Sequence, residues 1–90
     1  MKVAFKSSFL KALQKLRDEE LREGIYESIL DAEKAVIIRD IANLKKLKGY
    51  SSYYRIRVKN HRIGLKWEEE EQTLYFVIFD HRKDIYKKFP

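Results

Sequence analysis

The chain contains no cysteine, a single proline and only three glycines in 90 residues. Without cysteine there is neither a disulfide framework nor a thiolate metal site, which suits a reducing compartment. With so little proline and glycine, no flexible linker divides the chain, and no internal repeat or low-complexity tract interrupts it. One domain over residues 1–90 is expected, with a core drawn from few elements. No apolar run approaches the length of a membrane span, and Met1 to Ser8 carry no leader-like apolar region. A cytoplasmic protein without a membrane partner is expected. A phosphate-cradling glycine loop, spaced metal ligands and a Ser/His/Asp set of plausible geometry are also missing. No metal or other cofactor is therefore expected. Glu68 to Glu71 form a run of four carboxylates, but they lack the turn glycine and further ligands of a cation cage and read as a solvated loop.

Hydrophobic residues make up 44% of the chain, enough for a packed core. Twenty lysines and arginines face fourteen acids, a formal net charge of +6. The excess is uneven: residues 1–45 carry nine bases and eight acids, whereas residues 46–90 carry eleven and six, a net +5. Such a half favours nucleic acid or an acidic protein as partner.

The stretch Tyr53 to Trp67 alternates apolar and basic residues and reads as a β-hairpin. With Asn60 and His61 as a two-residue turn, Val58 faces Ile63, Ile56 faces Leu65 and Tyr54 faces Trp67. The opposite surface then pairs Lys59 with Arg62, Arg57 with Gly64 and Arg55 with Lys66. Five cations share one face, with no acid interleaved. Like charges opposed across strands destabilise a sheet, and a polyanion is the compensation we expect.

The rest of the chain supplies an α+β frame. Lys2 to Lys6 alternates as a short first strand. Ser7 or Ser8 is placed to cap a helix carrying Phe9, Leu10, Leu13 and Leu16. Asp18-Glu19-Glu20 opens a second helix, with Leu21, Ile25, Ile29, Ala32 and Val36 as its apolar stripe. Gly24 weakens that helix relative to alanine, so it must rely on docking. Residues 37–49 read as a connector with some helical character. Three strands follow, Tyr53 to Lys59, Arg62 to Glu68 and Thr73 to Phe79. The last, Leu74 to Phe79, looks apolar on both faces and hence central, with the first strand beside it. The predicted fold is an N-terminal strand, a two-helix hairpin and a three-stranded antiparallel meander, giving a four-stranded sheet with the helices on one face.

Arg55, Arg57, Arg62 and Lys66, joined by Lys45, Lys46 and Lys48, are suited to hold a nucleic-acid backbone, because guanidinium forks bind phosphate oxygens in pairs. Tyr53 shares their face and offers a ring for a base. The segment after the third strand adds His81 to exchange a proton, Arg82 to stabilise charge on a phosphate, and Tyr86 to stack or to position a proton. Ile85 and Phe89 read as a final amphipathic turn packed on the sheet. His61, at the turn tip, reads as a local turn residue, and the Glu68 to Glu71 loop is expected to lie away from the basic face.

These pieces, in order, resemble the RelE/ParE superfamily of type II toxin–antitoxin toxins. The resemblance runs through Leu44-Lys45-Lys46-Leu47-Lys48-Gly49, Tyr54-Arg55-Ile56-Arg57, His61-Arg62-Ile63-Gly64 and His81-Arg82-Lys83-Asp84-Ile85-Tyr86. It implies a RelE-like fold and a metal-independent, ribosome-dependent mRNA endonuclease in which a 2′-hydroxyl attacks its neighbouring phosphate. It carries catalytic roles to Arg55, Arg57, Arg62, Arg82 and Tyr86; because arginine stays protonated, His81 or Tyr86 is the candidate to move the proton. It also implies a cognate antitoxin, the ribosome and mRNA as partners, and operator DNA in complex with the antitoxin. The ParE branch, which inhibits DNA gyrase, and a degenerate member that only binds antitoxin are the alternatives.

Overall fold

A computed structural model describes residues 1–90. It is α+β, as expected, but its sheet has five strands. The elements run β1 (Lys2–Phe5), α1 (Ser7–Lys15), α2 (Glu19–Lys34), a short 3-10 turn (Ile38–Asp40), β2 (Leu44–Lys46), β3 (Tyr53–Val58), β4 (His61–Glu68), β5 (Thr73–His81) and α3 (Ile85–Lys88). The spatial order is β1-β5-β4-β3-β2, with β1 parallel to β5 and the other pairs antiparallel. The additional strand, β2, falls in what reads as the connector. Three residues give alternation no room to show, and β2 forms because β3 offers it an open edge.

α1 and α2 cover one face of the sheet. Phe9, Leu21, Ile25 and Ala32 from the helices meet Ile56, Val58, Ile63, Leu65, Leu74, Phe76 and Phe79 in the main core. Phe9 is fully buried, edge-on to Phe76 and Phe79 at 5.5 and 5.6 Å. Neither serine caps α1: its N-cap is Lys6, without a side-chain bond. Ser8 Oγ instead donates to Val77 O at 2.5 Å. Asp18 does cap α2, accepting from Leu21 N at 3.1 Å. That helix stops at Lys34, so Val36 leaves the expected stripe and is 86% exposed. Gly24 is where docking requires a missing side chain. A Cβ there would lie 2.7 Å from Val58 Cγ1, so glycine lets α2 sit directly on β3.

The hairpin has the expected faces in a different register. Lys59 and Asn60 form the turn, and Val58 pairs with His61, Ile56 with Ile63 and Tyr54 with Leu65. Arg57 now faces Arg62, Arg55 faces Gly64 and Tyr53 faces Lys66. A slip of two positions returns every side chain to its own face, so alternation cannot distinguish the two pairings. The turn is held locally: Arg62 Nη1 donates to Lys59 O and His61 O at 3.1 and 2.9 Å, and Lys59 adopts a left-handed φ of 54°.

β5 is not apolar on both faces in the simple sense. Its ladder to β4 shifts at Gly64/Leu65, where Gly64 faces Ile78 but Leu65 faces Phe76, leaving Val77 as a bulge. The extra residue lets Phe76 and Phe79, three apart, both point into the core. As expected, β1 lies beside β5; the central place expected of β5 falls to β4, because β2 adds a strand at the far edge.

The short α3 departs from the one-sided arrangement of helices. Its Ile85 and Phe89, four residues apart and buried, stand outside the main core. Phe89 packs over Gly64, whose side-chain direction belongs to the arginine surface, so α3 covers part of the opposite face. No helix is long and apolar enough to cross a membrane.

Candidate functional site

The face of the sheet away from α1 and α2 carries Arg55 and Arg57 from β3 and Arg62 from β4 by simple alternation. Arg62 is partly buried; this desolvation, with Arg55, Arg57 and Arg82 nearby, holds its guanidinium below the usual value, while Tyr86 acts in the opposite direction. Arg55, Arg57, Arg82 and Tyr86 are thus all near enough to act on the charge of Arg62. Arginine remains a cation at neutral pH regardless.

Backbone carbonyls fix this cluster. Asn43 O accepts from Arg55 Nη1 at 3.0 Å and from Arg57 N at 3.2 Å. The turn carbonyls of Lys59 and His61 hold Arg62. Asn60 O accepts from Arg82 N at 2.8 Å, tying the segment after β5 to the hairpin turn. None of the four arginines makes an ion pair. Their uncompensated charge is the electrostatic signature of an anion site.

Beside the cluster opens a cleft of about 520 Å³ lined by Lys45, Lys48, Tyr50, Arg55, Tyr86 and Phe89, among others. Lys45 faces Arg55 across β2 and β3 and shares its surface. Lys46, opposite Tyr54, alternates to the other side of the strand but still reaches the cleft rim. Tyr50 and Tyr86 are about half exposed and offer their rings to this space.

Other expected residues stand elsewhere. Lys59 is pulled toward α2 by Glu20 at 2.9 Å. Lys66 is paired with Glu68 at 2.7 Å, so the acidic run does not lie wholly apart from the basic face: Glu68 ends β4 and neutralises one of its cations. Tyr53 lies edge-on to Phe89 at 5.5 Å and to Tyr50 at 5.7 Å, occupied by packing on two sides.

His81 is separated from the arginines by the sheet itself. It pairs with His61 at the end of the ladder, alternating with Phe79 onto the helix side, and its ring lies 5.5 Å from that of His61. Its Nδ1 accepts from Lys83 N at 3.2 Å. His61 is accordingly a strand residue and not the turn tip. Burial, followed by the charge of His81, pushes its imidazole below the ordinary value.

Sequence reasoning did not single out Tyr50 for this site, nor the Asn43 and Asn60 carbonyls. Tyr50 is signalled only by following the Gly49 turn, and backbone acceptors leave no signal in side-chain chemistry. No group of three or more His, Cys, Asp or Glu is placed to hold a metal ion.

No family model matches the sequence. Toxin RelE3 of Methanocaldococcus jannaschii, however, is 40% identical over 91 aligned residues, with 100% of both chains covered. Among solved structures, the crystal structure of the RelB-RelE antitoxin-toxin complex from Methanococcus jannaschii matches with a TM-score of 0.74 at 36% identity, over 96% of this chain and 98% of that one. The isolated E. coli RelE toxin shares the fold, with a TM-score of 0.70 at 20% identity over 97% and 92% of the two chains. With full-length identity added to the shared fold, the chain belongs to the RelE family, the toxins of type II toxin–antitoxin systems.

Proposed function

We propose that this toxin cleaves messenger RNA on the ribosome without a metal ion, and that a cognate antitoxin holds it in check. The observation that carries the reading is the gathering of Arg55, Arg57, Arg82 and Tyr86 around Arg62, beside a cleft that Arg55 and Tyr86 line, with no acid paired to any of the four arginines. An RNA phosphate seated on these forks has its attacking 2′-oxygen and leaving 5′-oxygen held in line. The 2′-oxygen bonds to phosphorus and gives up its proton. The P–O5′ bond then breaks and the 5′-oxygen takes a proton, leaving a 2′,3′-cyclic phosphate and a 5′-hydroxyl. Preorganised guanidinium groups stabilise the added charge of the phosphorane between these steps.

Of the two candidates for the first proton, the geometry favours Tyr86. It lines the cleft beside Arg55, whereas His81 stands behind the sheet with Nδ1 already engaged. Lys45, Lys48 and Tyr50 extend the path for the flanking nucleotides, by charge and by stacking. The antitoxin reading rests on relatives solved as RelB–RelE complexes. It is also supported by a second groove between α2 and β3, about 510 Å³, where Glu27, Asp31, Arg57 and Lys59 offer charges of both signs. Operator DNA is assigned to the toxin–antitoxin complex.

The test is expression with and without the small protein encoded beside this gene. We expect growth arrest on the toxin alone, cut mRNA only when ribosomes are present, and growth restored by the neighbouring protein. Arg62→Ala should lower cleavage at least about 100-fold with the fold intact, the scale of a lost transition-state donor. Inhibition of purified gyrase with mRNA untouched, or an Arg62→Ala protein of full toxicity, would defeat the reading.

A further inference from the structure

α3 is a single turn of four residues, too short to persist by its own hydrogen bonds. Its placement comes from its surroundings. Arg82 N is held by Asn60 O at 2.8 Å, Asp84 N by His81 O at 2.8 Å, and Lys88 Nζ by Asp80 Oδ2 at 2.8 Å. Phe89, 4% exposed, occupies a socket made by the missing side chain of Gly64. A Cβ at Gly64 would come within 2.7 Å of Phe89 Cδ2 and 2.8 Å of Cγ, so alanine cannot stand there with the ring in place. The edge-on contact with Tyr53 closes the socket on another side. Ile85, one turn earlier and fully buried, is the second anchor.

Between these anchors stands Tyr86, 54% exposed, with no side-chain hydrogen bond of its own. Nothing attached directly to its ring holds it toward Arg55 and Arg62. What fixes its position is the mount on either side.

We propose that Phe89 in the Gly64 socket, assisted by the Lys88–Asp80 pair, is a positioning residue that presents Tyr86 to the arginine cluster. Phe89 need not touch the reacting atoms. The inference deepens the RNA-cleavage reading of this cleft and rests on it for its kinetic consequences, but the placement itself is independent of any reaction. A displacement of about 1 Å at a reacting group can cost on the order of 100-fold in rate. A loosened mount should therefore reduce kcat while leaving the phosphate-holding arginines, and so KM, nearly unchanged.

Two measurements separate positioning from bulk stability. In protein with isotope-labelled tyrosine, Phe89→Ala should move the Tyr86 ring resonances toward solvent-exposed values while core resonances stay in place. Gly64→Ala, which ejects the same ring from the other side, should reproduce the shift. In ribosome-dependent cleavage, Phe89→Ala should lower kcat about 100-fold with KM within about twofold. Tyr86→Phe should then cost much less in the Phe89→Ala background than in the native one, because the two act as a unit. Should Phe89→Ala fail to fold, Phe89→Leu and Lys88→Gln carry the same comparisons with smaller shifts.

Unmoved Tyr86 resonances in these variants would overturn the positioning role, and so would strictly additive losses from Tyr86→Phe and Phe89→Ala. If the resonances move as expected but the native protein cuts no RNA, the mount stands and the nuclease reading falls.

Discussion

Asp80 faces Arg62 across the β4–β5 ladder, where an acid would be expected to quench the cluster. Its carboxylate is turned instead to Lys88 at 2.8 Å and to the amide of His81 at 2.8 Å. The bond from Lys88, the larger influence, and that amide together hold its carboxyl below the ordinary range. The acid opposite Arg62 is thus spent on fastening α3, and the arginine keeps its charge. A depressed folded value means that Asp80 stabilises the protein above its unfolded value, about 3.9, and that this contribution disappears as pH falls through the folded value. Asp80→Asn should therefore lower the urea midpoint at pH 7 and leave it unchanged in acid below the folded value. An equal difference at both pH values would exclude the pair as the cause. This contact was not legible in the sequence, because eight residues separate the partners and only the return of α3 onto the sheet joins them. Arg55, Arg57 and Arg62 were legible, because alternation within a hairpin survives a two-residue slip. The same alternation governs His81: adjacent in sequence to Arg82, it falls with Phe79 on the other side of the sheet.

The two long helices and the three strands of the meander could be read from periodicity because each spans several repeats of its pattern. β2 could not, since Leu44-Lys45-Lys46 is three residues long and becomes a strand only through pairing with Ile56, Arg55 and Tyr54. The Val77 bulge was equally hidden: Leu74 to Phe79 is apolar throughout, and such a run does not reveal where its alternation breaks. α2 shows how local chemistry and docking divide the work. Asp18 satisfies the Leu21 amide at its start, and Gly24 allows the approach to Val58. Because the acidic first turn, Glu19 and Glu20, also favours the helix dipole, removing the cap does not remove every favourable term there. Asp18→Ala is expected to destabilise the protein by about 1 kcal/mol in urea unfolding. Asp18→Ser should recover most of that loss, since serine accepts the same hydrogen bond. Failure of serine to recover it would point to the charge of Asp18 and not to its capping bond.

Across the whole molecule the charges are sorted by layer. α2 contributes six acids and two bases behind the sheet, while Arg55, Arg57 and Arg62 lie in front. Two of the five hairpin cations are removed from that front by their own acids, Lys59 by Glu20 and Lys66 by Glu68. Arg55, Arg57, Arg62 and Arg82, with Lys45 beside the cleft, remain as five positive groups for a polyanion. Two kinds of force compete to dominate binding of a single strand there: release of counterions by these groups, and stacking on Tyr50. The first depends steeply on salt and the second hardly at all. With about five phosphate contacts, the logarithm of affinity for a short unstructured RNA should fall against the logarithm of salt with a slope of about 3.5, roughly 100-fold between 50 and 200 mM. Fluorescence anisotropy at several salt concentrations measures this directly. Arg57→Ala should reduce the slope by about 0.7, the share of one phosphate contact. Lys66→Ala should leave it unchanged, because Glu68 already neutralises that ammonium. A slope near zero, with affinity lost on Tyr50→Leu, would make the cleft a stacking platform in which the arginines play no part in holding the strand.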